Sequence, residues 1–318
     1  MPLFHTHIVV DWSARSKPSP AKRTKDAIWW AVARVGSEIE VDEPEYVCTR
    51  HEALDRLAGL VAGELNAGRR VLVGFDFPFG YPAGVAEHLT GKASAMALWD
   101  WLAAQIKDAP DNANNRYDVA ATINEKYRGV AGPCWGRPAK WNYPTITLKK
   151  SQRTCREPHP PECRICDVRA TGAKTVWQLA YAGSVGSQIL LGLPALRRLV
   201  ADQRIADRAA IWPFKTGLRT PDAQAVIAEV YPSLLRAEVR ERRREDEILD
   251  SAQVRVNAEA FARLDLQGGL APLFAGAPGL TADERRLVAT EEAWILGLGH
   301  EEAVKAACLV RPCQQRLK

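Results

Sequence analysis

Long hydrophobic runs are absent from this sequence, and so are internal repeats. No apolar stretch reaches the roughly 18–20 residues that a membrane-spanning helix needs, so we expect no membrane partner. The apolar run at residues 8–10 ends at Asp11 and follows no basic segment, which favours a buried strand over a secretion signal. These absences predict a cytoplasmic protein.

The signatures of several enzyme classes are also missing. We find no serine-hydrolase elbow, and the histidines at positions 5, 7, 51, 88 and 300 show no spacing typical of a ligand set or a catalytic triad. The seven cysteines are an odd number with irregular spacing. This pattern argues against a disulfide framework and predicts reduced thiols.

The composition is that of a globular protein. The chain has 318 residues, of which 47% are hydrophobic and 25% are charged, enough for one large domain with insertions or for a core domain and a smaller one. Its net charge of +5 is compatible with a nucleic-acid partner, although such a partner is normally recognised by a basic patch rather than by a sum. The composition predicts no particular oligomeric state.

Hydrophobic patterning predicts an α/β fold. Some segments are rich in β-branched and aromatic residues, as strands are, and in others apolar residues recur at helical spacing. Strands are predicted at residues 6–11, 27–35, 38–48, 70–77, 209–214 and 224–231. Helices are predicted at residues 51–66, 84–106, 176–181, 188–200, 234–263 and 281–296. The fifth has a predicted interruption near Asp246, and the last has Thr281 and Glu284 in a capping box.

This order of elements predicts a mixed β-sheet with helices on its faces. Residues 1–108 would form the N-terminal part of the core, and residues 209–318 its C-terminal part with terminal helices. Residues 109–208 would form a large helical and irregular insertion. The order is compatible with a ribonuclease-H-like sheet and with several other α/β folds.

Two aspartates follow predicted buried strands. Asp11 ends the apolar run at residues 8–10, and Asp76 ends the run at residues 71–75. Ligand sites in open α/β sheets lie at the carboxyl ends of strands. A carboxylate there needs a partner, and Mg²⁺ or Mn²⁺ bound by carboxylates and water can serve. Either aspartate alone could simply cap the turn or helix that follows, whereas the pair favours a catalytic metal site.

Two further acids extend this set. Glu229 closes an apolar run just before Pro232, and Asp250 stands early in a predicted helix. Either could instead be an ordinary strand-end or solvated helix residue. With the first pair they predict a catalytic, metal-binding group of four: Asp11, Asp76, Glu229 and Asp250.

These segments resemble a family of predicted ribonuclease-H-like nucleases, domain of unknown function 429 and its relatives. The resemblance rests on a first strand ending in Asp11, an Asp-x-Pro turn at residues 76–78, a Glu-x-x-Pro strand end at residues 229–232 and the helix bearing Asp250. Residues 183–188 and 211–214 also resemble segments of a bacterial subgroup. The resemblance implies a ribonuclease-H-like fold and nuclease activity.

A small-residue segment at residues 183–188 precedes a predicted helix. Its exposed backbone N–H groups are typical of an anion seat at a helix N-terminus, and we predict that Ser184 and Ser187 bind a substrate phosphate. The segment lacks the lysine of a P-loop. The alternative is a tight loop in which Ser187 caps the helix.

A cysteine- and histidine-containing segment follows the pattern C-x₃-H-x₃-C-x₂-C. Its residues Cys155, His159, Cys163 and Cys166 are soft ligands in a proline-rich stretch, which predicts a structural Zn²⁺ site. The alternative is a set of reduced free thiols. Aromatic and basic residues interleave just before and within this stretch, including Lys149, Lys150 and Arg153, and predict contacts to a nucleic-acid strand.

The sequence therefore predicts a metal-dependent nuclease or phosphodiesterase that acts on nucleic acid. One alternative is an enzyme on the same fold that binds a nucleotide or a small phosphorylated metabolite. Another is a non-catalytic binding protein. Salt-dependent binding of oligonucleotides would distinguish the first from the other two.

Overall fold

A mixed β-sheet forms the centre of the protein. The computed structural model describes residues 1–128, 131–155 and 159–309, and within them seven strands make one sheet. The strands are β1 (Thr6–Asp11), β2 (Ile28–Val35), β3 (Ile39–Val41), β4 (Glu45–Val47), β5 (Val71–Phe75), β6 (Ala209–Ile211) and β7 (Ala225–Glu229).

The sheet has an antiparallel half and a parallel half. Its order is β3-β2-β1-β5-β7-β6, with β4 also paired to β2. Strand β2 runs antiparallel to β1, β3 and β4. Strands β1, β5, β7 and β6 are parallel to one another, so their carboxyl ends meet at one edge of the sheet.

Helices surround this sheet. They are α1 (Arg50–Asn66), α2 (Val85–Thr90), α3 (Ala95–Gln105), α4 (Arg116–Lys126), α5 (Ile165–Arg169), α6 (Gly186–Ala201), α7 (Arg236–Arg242), α8 (Leu249–Leu266), α9 (Ala282–Leu287) and α10 (Glu301–Leu309). Short 3₁₀ turns lie at Lys150–Gln152, Pro232–Leu235 and Ala271–Ala275, and a π-helical turn at Val288–Glu292. No helix in this described part has both the length and the apolar composition to cross a bilayer.

The central strands are buried on both faces, which explains their nearly continuous apolar sequence. In β1, Ile8 and Val10 join a core that includes α1, α3 and α6. Val9 points the other way, into a core with α8 and α10. This alternation decides where the strand-end carboxylates point, because every second residue of a strand shares a face.

Several predicted boundaries are wrong. The expected third strand is two short strands separated by residues 42–44, where Pro44 offers no N–H to the ladder. The expected helix at residues 84–106 is broken at Gly91, which has a φ of +76°. Residues 176–181 are not helical, and their backbone pairs with Trp135 instead. Helix α4 was not predicted.

The capping box at Thr281 and Glu284 is confirmed, with both reciprocal hydrogen bonds present. The helix it begins is shorter than predicted, because it passes into the π-helical turn and stops at Ala293, whose φ is +65°. The α/β class and the mixed, helix-flanked sheet are confirmed.

Candidate active site

Asp11 and Asp76 lie side by side at the carboxyl edge of the sheet. Their strands are paired in parallel register, with Val10 opposite Phe75. The Asp76 backbone N–H donates to the Val10 carbonyl at 3.1 Å. In return the Trp12 backbone N–H donates to Asp76 Oδ1 at 2.9 Å. The predicted pairing of these two carboxylates is therefore a direct result of the strand register.

A third carboxylate reaches this region from helix α8. Asp11 follows Val9 by two residues and so shares the face of the sheet on which α8 packs. Asp250 stands in the first turn of α8 and accepts a hydrogen bond of 2.7 Å from the Asp26 backbone N–H. Asp11, Asp26 and Asp250 all line one cleft with a volume of about 470 Å³.

Burial and like charge act together on these acids. Burial, followed by the negative charges of Asp76 and Asp250, raises the pKa of Asp11 well above its usual range. Burial also raises the pKa of Asp76, against the opposing hydrogen bond from Trp12, and raises the pKa of Asp250. Such a group of carboxylates is unfavourable unless protons or a cation neutralise it.

The donor set fits a magnesium-type ion better than a closed all-protein cage. Mg²⁺ is commonly held by one or two carboxylates, with water and substrate oxygens completing its shell, and Asp11 and Asp76 supply such a pair. Among the described residues, no group of three or more His, Cys, Asp or Glu side chains is arranged to hold a metal ion. Any further ligands would therefore come from water or from substrate.

The same cleft is also lined by a cation. Arg116, the first residue of α4, lines the cleft and donates to Ser187 Oγ at 2.9 Å, Ser16 Oγ at 2.7 Å and Asn114 Oδ1 at 2.8 Å. These acceptors are all neutral, and burial lowers the pKa of Arg116. A partly buried guanidinium whose hydrogen-bond partners are all neutral attracts an anion.

The small-residue segment lies at the same cleft, as predicted. Ser184, Ser187 and Gln188 line it, and α6 begins at Gly186. The Ser187 hydroxyl donates to the Leu179 carbonyl at 2.6 Å, and Gln188 Nε2 donates to the Trp12 carbonyl at 2.7 Å. Gly186 has a packing role, since a Cβ there would lie 2.5 Å from the Gln178 carbonyl oxygen. The segment thus joins the Arg116 wall to the strand that carries Asp11.

Glu229 stands apart from this cleft in a buried ion-pair network. Its two carboxylate oxygens each accept a hydrogen bond of 2.7 Å from Arg164, and Phe79 N–H donates to Oε2 at 2.9 Å. Arg164 also pairs with Asp167 at 2.8 Å and donates to the Glu292 carbonyl at 2.9 Å. Through Phe79 and Arg164, Glu229 fixes the turn that follows Asp76. Its role as a metal ligand stays a prediction.

The cysteine- and histidine-containing segment is attached to this network. Cys166 is fully buried in α5, where burial raises the pKa of its thiol, and Sγ lies 3.8 Å from Asp167 Oδ1. His159 is exposed, with Nδ1 3.1 Å from the Pro160 carbonyl oxygen. Zinc needs thiolates gathered around it, and within the described residues these side chains form no such group. The zinc site stays a prediction.

The predicted basic contacts lie elsewhere. Lys150 and Arg153 form ion pairs with Glu162 at 3.2 and 2.7 Å. Lys149 is exposed. Neither Lys149 nor the two paired residues are among the side chains that line the cleft.

The structure adds Arg116 and Tyr117 to the site, and sequence patterns missed both. Tyr117, Ala120 and Ile123 are buried at helical spacing, so periodicity could have revealed α4. Nothing in the local sequence marks Arg116, because two of the groups it binds, Ser16 and Ser187, belong to distant segments.

The raised carboxylate pKa values predict how stability varies with pH in metal-free buffer. A carboxylate whose pKa is higher in the folded protein binds more protons when folded than when unfolded. Its contribution to the free energy of unfolding therefore falls as pH rises above about 4 and is lost above the folded pKa. We expect Asp11→Asn/Asp76→Asn to be more stable than wild type at about pH 8. This advantage should be smaller at about pH 5. Urea unfolding with a chelator measures both.

The control for this comparison is Asp207→Asn/Asp222→Asn, which changes two exposed aspartates. It should track wild type at both pH values. A constant difference between wild type and the Asp11/Asp76 variant across pH would contradict the electrostatic argument, since it would point to packing alone.

Comparison with known proteins adds no relative from which a function could be carried over. No family model, no curated protein and no solved structure matches the chain. The carboxylates, the cation and the cleft between them are therefore the basis for a functional conclusion.

Proposed function

We propose that the protein is a metal-dependent phosphodiesterase of the ribonuclease-H-like type that cleaves nucleic acid. The observation that carries the proposal is one cleft lined by Asp11, Asp250 and Arg116, a cation with neutral hydrogen-bond partners. Asp76 lies beside Asp11 and is bound to the Trp12 N–H. A phosphodiester needs this combination, because its anionic oxygens must be bound while the reacting centre is activated.

The sheet order supports the fold in this proposal. Four strands in antiparallel pairing (β1–β4), a helix and then parallel strands follow one another along the chain. This is the arrangement we expect for a ribonuclease-H-like sheet, and it places Asp11 on a central strand beside Asp76. The nuclease reading also agrees with the family resemblance of the segments around these two residues.

Asp11 and Asp76 would hold Mg²⁺ or Mn²⁺, and Asp250 adds its negative charge nearby. When bound, such an ion supplies Lewis acidity to a phosphodiester. Arg116 would bind a non-bridging phosphate oxygen, and the N-terminal turns of α4 and α6 add a favourable field for an anion. Gln188 fixes the position of the segment after Asp11 through its bond to the Trp12 carbonyl.

A second candidate function has one observation in its favour. A cleft of about 470 Å³ has the size of a small-molecule site. The alternative is therefore an enzyme that binds a nucleotide or a small phosphorylated metabolite in the same place. Both candidates use Arg116 as the phosphate-binding residue.

The test measures cleavage and binding of labelled single-stranded, duplex and hybrid oligonucleotides with Mg²⁺, Mn²⁺ or a chelator. We expect metal-dependent cleavage by wild type. Arg116→Met should weaken oligonucleotide binding by roughly tenfold, and should reduce the slope of log affinity against log salt by about 0.7–0.9, because one phosphate contact is lost.

Arg197→Met is the matched control, since Arg197 is an exposed arginine on α6 paired with Asp100. It should leave both quantities near wild type. Metal binding without cleavage of any polymer, together with salt-insensitive binding of a mononucleotide, would favour the second candidate. The absence of metal binding and of cleavage would overturn the proposal.

A further inference from the structure

A second pocket adjoins the cleft and is built largely from aromatic rings. It has a volume of about 370 Å³ and is lined by Asn114, Tyr117, Trp141, Asn142 and Tyr143. Trp141 meets Tyr117 edge to face with ring centroids 4.7 Å apart, and Tyr143 stacks on Tyr117 at 5.8 Å. Sites of this size accept small planar groups.

Tyr117 connects this aromatic pocket to the cleft, because its side chain lines both. The Arg116 guanidinium lies 4.9 Å from the centroid of the Tyr117 ring. Asn114, which lines the aromatic pocket, accepts a hydrogen bond from Arg116. A ligand with an anionic group at Arg116 thus has an aromatic surface within reach of the same molecule.

The pocket is held in place by polar contacts. The Tyr143 hydroxyl donates to Asp118 Oδ1 at 2.7 Å, and the Arg137 guanidinium donates to the Ile146 carbonyl at 2.8 Å and to the Trp141 carbonyl. The Trp141 N–H donates to the Pro138 carbonyl at 3.0 Å. Rings that are ordered before a ligand arrives cost less conformational entropy on binding.

The aromatic side chains are not fully covered by the protein. Trp141 and Tyr143 are half-buried and Asn142 is exposed, whereas Tyr117 behind them is buried. A cluster that served the core alone would be expected to cover its rings as Tyr117 is covered. The Asn142 amide, which carries both donors and an acceptor, adds a group able to hydrogen-bond the edge of a planar ligand.

We propose that the aromatic pocket binds an unstacked nucleobase of the nucleotide whose phosphate lies at Arg116. The inference rests on the proposed function for the phosphate and names the substrate class of that site. A base inside a duplex is stacked on its neighbours and cannot enter such a pocket. The substrate is therefore a single strand, or a nucleotide splayed out of one, held by stacking and by its phosphate.

The test compares an end-labelled single-stranded oligonucleotide with an abasic strand of the same length, by fluorescence anisotropy in a chelator. Both strands carry the same phosphates, and no cleavage occurs. Stacking of a base on an aromatic side chain strengthens single-strand binding, so wild type should bind the base-bearing strand about tenfold more tightly. Trp141→Ala should remove most of that difference, and Trp141→Phe should keep most of it.

Trp101→Ala serves as the control, because Trp101 is a partly buried tryptophan on α3 outside both pockets. It should keep the wild-type preference for bases. A mononucleotide is titrated in parallel, and binding of it comparable to that of the strand would assign the pocket to a free nucleotide rather than to a polymer. Either ligand would place a base beside Trp141.

Equal affinity of wild type for the two strands would overturn the inference whether or not any variant folds. The inference would also be overturned if wild type bound neither strand and did not bind the mononucleotide. Cleavage of oligonucleotides with Mg²⁺ in spite of such a result would leave the proposed function standing and remove only the base pocket. A base preference without metal-dependent cleavage would keep the base pocket and remove the proposed function.

Discussion

Metal-dependent hydrolysis of a single-stranded oligonucleotide is expected to fall by roughly 10³-fold when Asp11 and Asp76 are both replaced by asparagine. A bound divalent ion contributes several kcal/mol to transition-state stabilisation, and each 1.36 kcal/mol corresponds to a tenfold change in rate. The asparagine side chains keep the size of the originals and can preserve the hydrogen bond from Trp12 N–H. Single-turnover rates with Mg²⁺ and with Mn²⁺ measure the loss.

The pair Asp207→Asn/Asp222→Asn makes the same chemical change at exposed positions and should retain the wild-type rate. Calorimetry then separates binding from chemistry, since the Asp11/Asp76 variant should also bind the metal more weakly. If the Asp11/Asp76 variant hydrolysed the strand at the wild-type rate, the hydrolysis would occur at another site. This outcome would end the argument from the strand-end carboxylates.

Arg164→Met is expected to destabilise the protein by about 3–5 kcal/mol, the usual consequence of removing one partner from a buried ion pair. Arg164 is 1% exposed, and its guanidinium binds both Glu229 and Asp167. Without it those two carboxylates remain buried with no cation. The difference from wild type should be larger at about pH 8 than at about pH 5, because at the lower pH a proton can neutralise the buried Glu229 carboxylate that Arg164 no longer pairs with.

Arg244→Met supplies the matched comparison, since Arg244 pairs with Glu43 at 2.7 Å on the surface. Such pairs contribute roughly 0–1 kcal/mol, so its urea midpoint should stay close to that of wild type. Equal effects of the two substitutions would mean that the buried network does not stabilise the fold. Adding Glu229→Gln to Arg164→Met should recover part of the loss, because one buried charge is removed.

The strands that carry the site could be predicted because buried strands have nearly continuous apolar sequences. Strands β1, β5 and β7 are apolar runs that end at an acid, and burial on both faces of a sheet requires such runs. The parallel register that joins Asp11 to Asp76 follows once the strands are neighbours. Asp250 was placed early in its helix, where the structure has it.

The features that were missed depend on contacts between distant segments. Glu229 has the same strand-end pattern as Asp76, yet Arg164 lies 65 positions away in sequence and takes both of its oxygens. Residues 176–181 are apolar because Trp177 and Leu179 are buried under neighbouring loops, not because they form a helix. Arg116 is brought to the cleft by contacts with Ser187 and Ser16, which lie 71 and 100 positions away in sequence.

The hydrogen bond from Asp26 to Asp250 joins positions 224 apart, and it has a consequence for synthesis on the ribosome. A nascent chain appears from its N-terminus; β6 is made before β7, although β7 lies between β5 and β6 in the sheet. The edge strand β6 is therefore synthesised before β7, its only partner in the sheet order of the described residues. Helix α8, which carries Asp250, is synthesised later still. During most of translation the chain therefore carries Asp11 and Asp76 without the helix that supplies Asp250 to the cleft.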